Sequence, residues 1–270
     1  MLRWIWVGCA LLGACSNRPS DAEIKANQDR EKAEAAALLG AYGKELAARA
    51  QAAHACEKTV LDAVAKALPQ GFDSKLKQAP KNAAALDGAL LFEVDLEHGI
   101  AERIAGDDYR GTRLAKLPHV ETANAACVGP TKQDEERLAQ LKRIGYLDYS
   151  SEQDVKKKLD QLQHLPEAKP PAVAVAYWSS CKTHKGALYV AKDYSASASS
   201  EGYSCQAALA WVRVADGTLL AVVAGSGAGV PDAASTATRD QISNANGNAS
   251  ADAMAHATAG FGPAIEKWPP

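Results

Sequence analysis

The six cysteines are the residues of this 270-residue chain with the widest range of chemistry. A thiolate can bind zinc, two thiols can oxidise to a disulfide, and a cysteine near a terminus can carry a lipid. Two of them, Cys9 and Cys15, lie in the amino-terminal segment, and four are spread over the rest of the chain. Which reaction applies to each depends on the compartment, and the amino-terminal segment indicates that compartment.

This segment has the three parts of a secretory signal peptide. Arg3 supplies the positive charge, residues 4–12 form an apolar run, and Gly13-Ala14 are the small residues that a signal peptidase needs. The apolar run is far below the roughly 20 residues that span a bilayer as a helix. We therefore predict that residues 1–14 are a signal peptide and that the protein is exported.

The end of the segment, Leu12-Gly13-Ala14-Cys15, resembles the lipobox of bacterial lipoproteins. The resemblance implies cleavage before Cys15 and acylation of its sulfur and of its new amino group. An ordinary signal peptide that happens to contain Cys15 is the alternative, but this cysteine lies where the apolar run gives way to a polar stretch. Residues 15–20 would then be a lipid tether. In such lipoproteins a serine after the cysteine favours anchoring to the periplasmic face of the outer membrane.

Four cysteines remain once the first leaves with the signal and the second carries lipid. An even number in an oxidising periplasm is typical of disulfides, and four cysteines allow three pairings. We favour Cys181–Cys205, which would close a strand pair, and Cys56–Cys127, which would tie a helix to a loop.

Zinc binding is the alternative, because Cys181-Lys-Thr-His184 has the spacing of two zinc ligands. Structural zinc sites usually contain two such close pairs, and Cys205 has no near partner in the sequence. We therefore expect disulfides and no metal.

The strongest catalytic candidate is Ser226 in Ala224-Gly-Ser-Gly-Ala228, which follows a predicted strand and resembles the nucleophile elbow of α/β-hydrolases with alanines in place of the outer glycines. Three features argue against it: Gly229 and Pro231 stand where the elbow needs a helix, the predicted sheet is antiparallel, and only 44 residues follow the serine. The same run lacks the Lys-Ser/Thr of a phosphate loop. Residues that follow in hydrolase order are Asp232, Asp240 or Asp252, and then His256.

The other polar clusters are more typical of solvated surface than of a site. Glu93, Asp95 and Glu97 could suggest the carboxylate pair of a glycan-cleaving enzyme, but neither a helix nor a strand would bury them there. Lys156–Lys158 could bind phosphate, although a solvated helix face is the simpler interpretation. The six histidines, at 54, 98, 119, 164, 184 and 256, form no HExxH motif. We predict no catalytic residue and no cofactor.

Composition gives no electrostatic case for nucleic acid. Removing the signal leaves 29 Lys+Arg, because Arg3 is its one charged residue, against 32 Asp+Glu, a net charge of −3. Hydrophobic residues make up 47% of the chain but aromatic ones only 6%, so the core is rich in small side chains. The acyl chains on Cys15 would be the membrane attachment.

Residues 21–166 are predicted to be mainly helical. From Asp21 to Leu68 the chain is rich in Ala, Glu and Lys, with apolar residues every three or four positions, and Gly40 and Gly43 leave open one long helix or a two-helix hairpin. Residues 80–106 fit a strand or a helix, and the surrounding helix formers favour a helix. Two capping pairs then predict a helical hairpin: Thr131 with Asp134, and Ser151 with Asp154, the helices ending at Gly145 and Pro166.

Residues 172–270 are predicted to form a small antiparallel sheet of three or four strands. Asp216-Gly217 predicts a tight hairpin between the last two strands. Residues 225–250 have the composition of a mobile tail, a weak helix is predicted over 251–259, and Trp268 could hold the tail to the sheet. The predicted strands are Val173–Trp178, Ala187–Lys192, Ala207–Val214 and Leu219–Ala224.

We therefore expect an α+β protein in which amino-terminal helices and a helical hairpin pack with a small carboxy-terminal antiparallel sheet. The function expected is that of an envelope lipoprotein that binds a protein partner without catalysis, for example an inhibitor or immunity protein against a periplasmic effector. An accessory subunit of an envelope or secretion complex, and a periplasmic hydrolase with an unrecognised site, are the alternatives. The sequence leaves the oligomeric state open.

Overall fold

The computed structural model shows the α+β class expected from the sequence. It describes residues 20–73, 75–104, 113–122, 126–145, 147–191, 197–229, 236–237 and 239–270. Cys15 and the rest of the predicted signal and tether, apart from Ser20, lie outside these residues, and so does Asp232.

Five helices and six strands make up the regular structure of the described chain. The helices are α1 Asp21–Ala67, α2 Lys132–Ile144, α3 Tyr149–Gln163, α4 Arg239–Thr258 and α5 Phe261–Ile265. The strands are β1 Leu90–Asp95, β2 Ile100–Arg103, β3 Val173–Ala191, β4 Ser197–Arg213, β5 Thr218–Gly229 and β6 Thr236–Ala237. A 3₁₀ turn, Ala83–Leu86, precedes β1.

The chain divides into two compact units, and α1 runs through both. Of the described residues, the first unit contains those from Ser20 to Ala48 together with Pro130–Leu165, and the second contains those of Arg49–Gly129 together with Pro166–Pro270. Helix α1 is therefore one continuous helix, and Gly40 and Gly43 do not break it.

In the first unit, α2 and α3 pack against the first half of α1. The predicted capping box at Thr131 and Asp134 is present, and Gly145 ends α2 with a φ of 67°. Helix α3 begins earlier than predicted, because Asp148 rather than Ser151 is the capping residue and accepts the Ser151 N–H. Their shared core contains Leu39, Tyr42, Leu46, Leu138, Leu141, Leu147, Val155 and Leu162.

The first turns of α1 have no apolar core of their own. Residues 20–34 are exposed on all sides, and Ile24, 41% exposed, is their one large apolar side chain. Alanine-rich sequence and i, i+4 pairs such as Arg30–Glu34, whose charged groups are 3.8 Å apart, support the helix here.

The second unit is a six-stranded mixed sheet with helices on both faces. The strand order is β2-β1-β3-β4-β5, with β6 beside the far end of β3. On one face, the α1 face, the second half of α1 packs on residues such as Phe92, Ala176 and Val212. On the other, the α4 face, α4 and α5 cover residues such as Val175 and Trp211.

The predicted helix over residues 80–106 is wrong, because this segment forms the β1–β2 hairpin. Phe92 and Val94 are buried on the α1 face, so the alternating pattern and not the surrounding helix formers decides the structure. Gly99, with a φ of 68°, lies in the turn between the strands. Strand β1 pairs in parallel with β3 through Leu90↔Ala174, and β6 also runs parallel to β3, so the sheet is mixed rather than antiparallel.

The carboxy-terminal half is more regular than predicted. Two predicted strands, Val173–Trp178 and Ala187–Lys192, belong to the single strand β3, apart from Lys192, which lies outside the described residues. Within the predicted mobile stretch 225–250, β5 reaches Gly229 and α4 begins at Arg239. Asp216-Gly217 lies in the turn between β4 and β5, as predicted, and of these two residues only Gly217 has a positive φ. Trp268 does hold the tail to the sheet, because its ring meets Trp211 edge to face at 5.0 Å.

Candidate functional site

The structure pairs the cysteines as the sequence favoured. Cys56 of α1 is bonded to Cys127 in the loop before α2, with their Cα atoms 5.3 Å apart and both side chains buried. Cys181 and Cys205 are directly opposed on β3 and β4 and form the second disulfide. Because Cys181 is in a disulfide, the Cys181–His184 zinc hypothesis fails. No group of three potential metal ligands occurs within the described ranges.

A stripe of glycines on β5 lets α4 approach the strand backbone closely. A Cβ atom built on Gly225 would lie 2.2 Å from the Ala257 carbonyl oxygen, and one on Gly227 would lie 2.2 Å from that of Ala253. Gly229 meets the Ala249 carbonyl in the same way. Two residues of a strand and four residues of a helix each advance by about 6–7 Å. Every second residue of β5 therefore meets every fourth residue of α4, and the glycines remain opposite alanines along the contact. The glycines are therefore a packing surface.

This packing overturns the nucleophile-elbow resemblance. Ser226 lies within a strand and not at a strand-to-helix turn, and its side chain is exposed on the α1 face. His256 lies on the opposite face, because a Cβ atom added to Gly227 would lie 2.6 Å from the Cβ of His256. The Nδ1 atom of His256 is 3.1 Å from the Ala228 carbonyl oxygen. Serine and histidine are thus separated by the sheet, and Asp252 is exposed on α4.

The carboxyl ends of β3 and β5 lie beside the amino end of β4, and this end of the sheet carries polar side chains on the α1 face. Beyond the stacked rings of Phe72 and Trp178, whose centroids are 5.5 Å apart, no described residue covers this face. We name these six residues the open patch: Ser180, Lys182, His184, Ser204, Gln206 and Ser226. A shallow hollow of about 330 Å³ lies over it.

Two side chains of the open patch form a nucleophile–base contact that sequence analysis missed. His184 Nε2 lies 2.7 Å from Ser204 Oγ, across β3 and β4. Among the side chains that the structure describes, no carboxylate is hydrogen-bonded to His184, so the described residues form a serine–histidine pair. Ser204 lies between two paired strands, opposite Lys182 of β3 and Ala228 of β5, so its own backbone N–H is engaged in the sheet and is not available for an oxyanion hole.

A second concave surface lies where the β1–β2 hairpin separates from β3. Strand β1 pairs with β3 only as far as Glu93↔Tyr177, and the hairpin then continues without β3. The gap is a groove of about 560 Å³. We name it the hairpin groove; its lining includes Phe72, Trp178, Ser179, Ser180, Ile100 and the carboxylates Glu93, Asp95, Glu97 and Glu102.

The charges in the hairpin groove are acidic, with one basic group. Asp95 accepts the backbone N–H groups of Glu97 and His98 and lies 2.6 Å from His98 Nδ1. These hydrogen bonds lower the pKa of Asp95, while Asp95 raises the pKa of His98. Glu93 is directly opposite Glu102 across β1 and β2. A lowered pKa argues against Asp95 as the acid of a glycan-cleaving enzyme.

One half-buried carboxyl group escaped the sequence analysis. Burial raises the pKa of Glu57 on α1, although a hydrogen bond from the backbone of Arg103 opposes the shift. Nothing in the sequence distinguishes Glu57 from the other charged residues of α1, because the strand that buries it lies 46 positions further on.

Two of the three lysines in the run on α3, Lys156 and Lys158, are engaged in ion pairs. Lys158 Nζ lies 3.0 Å from Asp134 Oδ1 and Lys156 Nζ lies 2.5 Å from Glu152 Oε1. These pairs support the interpretation of a solvated helix face and not that of a phosphate site.

The chain matches no protein-family model, no curated protein and no solved structure. Among the helices that the structure describes, none combines the length and apolar character needed to cross a bilayer.

Proposed function

We propose that this protein is a lipid-anchored module of the bacterial envelope that binds a protein partner without catalysing a reaction. The observation that carries the proposal is the open patch, where the sheet extends beyond its cover on the α1 face. On the α4 face the same strands are backed by α4 and stapled by the Cys181–Cys205 disulfide. A polar surface with a shallow hollow, built on paired strands, can present hydrogen-bonding side chains to another protein.

The anchor is part of the proposal and rests on the lipobox resemblance at Cys15. Both disulfides fit an exported protein, because such bonds persist in oxidising compartments. Replacing Cys15 by serine should abolish incorporation of radioactive palmitate. Continued labelling of Cys15→Ser would contradict the anchor.

Photo-crosslinking tests the binding surface. A benzoylphenylalanine at Gln206, in the middle of the open patch, should give a light-dependent protein adduct in the cell envelope of the native host. The same residue at Glu136, exposed on α2, is the matched control and should give none. Absence of an adduct at Gln206, Lys182 and Ser226 alike would contradict the proposal.

A hydrolase is the second candidate, because His184 and Ser204 are in hydrogen-bond contact. The two functions separate with a fluorophosphonate probe. A binding module should not react, whereas labelling that disappears in Ser204→Ala but persists in Ser226→Ala would favour the hydrolase.

A further inference from the structure

Strand β3 has an edge that no described strand covers between its two parallel neighbours, and we call it the open edge. On the side away from β4, β1 pairs with β3 up to Tyr177 and β6 pairs with it from Val190. In the parts of the chain that the structure describes, no strand occupies the edge between these points. Every second residue of that edge therefore directs backbone N–H and C=O groups away from the sheet.

The open edge runs directly into the hairpin groove. Trp178, Ser179 and Ser180 are the first residues of the edge and also line the groove. From Trp178 to His184 the edge spans about 20–25 Å, enough for a seven-residue strand. A strand added here would continue the line of β1 and would end against the tip of the β1–β2 hairpin.

The side chains that line the hairpin groove determine which residue the added strand can carry at the end that meets the hairpin. Its lining includes four carboxylates and no lysine or arginine, and Glu97 and Glu102 are exposed. The aromatic pair Phe72–Trp178 forms another wall. A guanidinium group suits such a wall and such carboxylates together, because it stacks on aromatic rings and donates two parallel hydrogen bonds to a carboxylate.

We propose that the open edge of β3 binds an extended segment of a protein partner, with an arginine of that segment held in the hairpin groove. Main-chain hydrogen bonds to β3 supply affinity, and the carboxylates supply the preference for a basic residue. The inference rests on the proposed function only in requiring a protein partner. It assigns the backbone edge of β3, whereas the open patch is a face of the sheet; Ser180, Lys182 and His184 belong to both, and Gln206 and Ser226 belong to the face alone.

Three labelled peptides test this assignment by fluorescence anisotropy with the full mature chain in detergent. The first is an acetylated, amidated peptide that alternates threonine and valine and begins with arginine. The second carries glutamate in place of the arginine. The third keeps the arginine but has N-methyl groups on alternate backbone amides, which prevents strand pairing. We expect the first to bind, the second to bind about ten-fold more weakly, and the third not to bind.

Two protein variants locate the charge effect. In the double variant Glu97→Gln, Glu102→Gln the preference for the arginine peptide over the glutamate peptide should disappear. The matched control Glu135→Gln, Glu136→Gln removes two exposed carboxylates from α2 and should keep the preference. All four positions are exposed, so folding should not be affected.

Each opposite outcome would overturn the inference. These are no binding of the arginine peptide up to about 1 mM, equal binding of the N-methylated peptide, or an unchanged preference in the groove variant. A concentration-dependent dimer that the arginine peptide dissociates would assign the edge to a second copy of this chain instead. A crosslink at Gln206 that survives any of these results would leave the proposed function standing.

Discussion

Replacing Gly227 by alanine tests the contact between β5 and α4 most directly. The added Cβ would lie 2.2 Å from the Ala253 carbonyl oxygen and 2.5 Å from the Ala257 nitrogen, whereas ordinary contact begins near 3.4 Å. Backbone atoms cannot rotate away, so α4 must retreat by about 1 Å, and its other contacts with the sheet loosen. Overpacking of this kind costs about 1–3 kcal/mol, and occasionally more. We expect a loss of about 2–4 kcal/mol in the free energy of unfolding.

Urea and thermal unfolding followed by circular dichroism measure this loss. For a unit of roughly 150–250 residues it corresponds to a fall of roughly 5–15 °C in Tm. Gly40→Ala is the matched control, because nothing lies within 4 Å of its added Cβ in the middle of α1; it should stabilise by about 0.5–1 kcal/mol. Ser226→Ala, on the exposed face of β5, should change stability by less than about 0.5 kcal/mol. If Gly227→Ala unfolds at the wild-type urea concentration, the close helix–strand contact is wrong.

Three further predictions concern separate features. The Tyr42 hydroxyl is buried without a hydrogen-bond partner among the described residues, so Tyr42→Phe should keep or raise the free energy of unfolding, by up to about 1–2 kcal/mol, and a loss in urea titration would reveal a missed partner. Replacing Cys56 and Cys127 by serine opens a link of sequence separation 71 and should cost roughly 4 kcal/mol in urea titration; an unchanged midpoint would refute this. Asp95→Asn should lower the raised pKa of His98, measured by NMR titration. Stabilisation by that ion pair is present below the ordinary histidine pKa of 6.5 and is lost as pH rises through the raised value, so an unshifted titration would contradict it.

Features encoded by neighbouring residues could be predicted from the sequence. Thr131 and Asp134 form their capping box within four positions, and Gly145 ends the same helix. The disulfide pairing is one of the three that four cysteines allow, and the predicted strand pair and helix favour it over the other two. The sequence does not fix the start of α3, because Asp148 and Ser151 are both good caps and the local pattern does not rank them.

Features that depend on distant partners could not be predicted. Strand β1 looked helical because its partner, Ala174, lies 84 positions after Leu90. The glycines of β5 suggested catalysis because their alanine partners on α4 become visible only when the helix is in place. The hairpin groove and the His184–Ser204 contact likewise require a sheet register that a single sequence does not reveal.

The exposed first turns of α1 have a geometric consequence for a chain anchored at Cys15. Each helical residue advances 1.5 Å and turns about 100° around the axis. Every insertion or deletion within residues 21–34 would therefore move the amino-terminal end of α1 along the axis, and most would also turn it to another side of the helix. Removing seven residues shortens the helix by about 10 Å and nearly preserves the phase, whereas removing five shortens it less and turns the end by about 140°. In a chain anchored at Cys15, the length of this exposed stretch would set how far Ser20 lies along the α1 axis and on which side of the helix it lies.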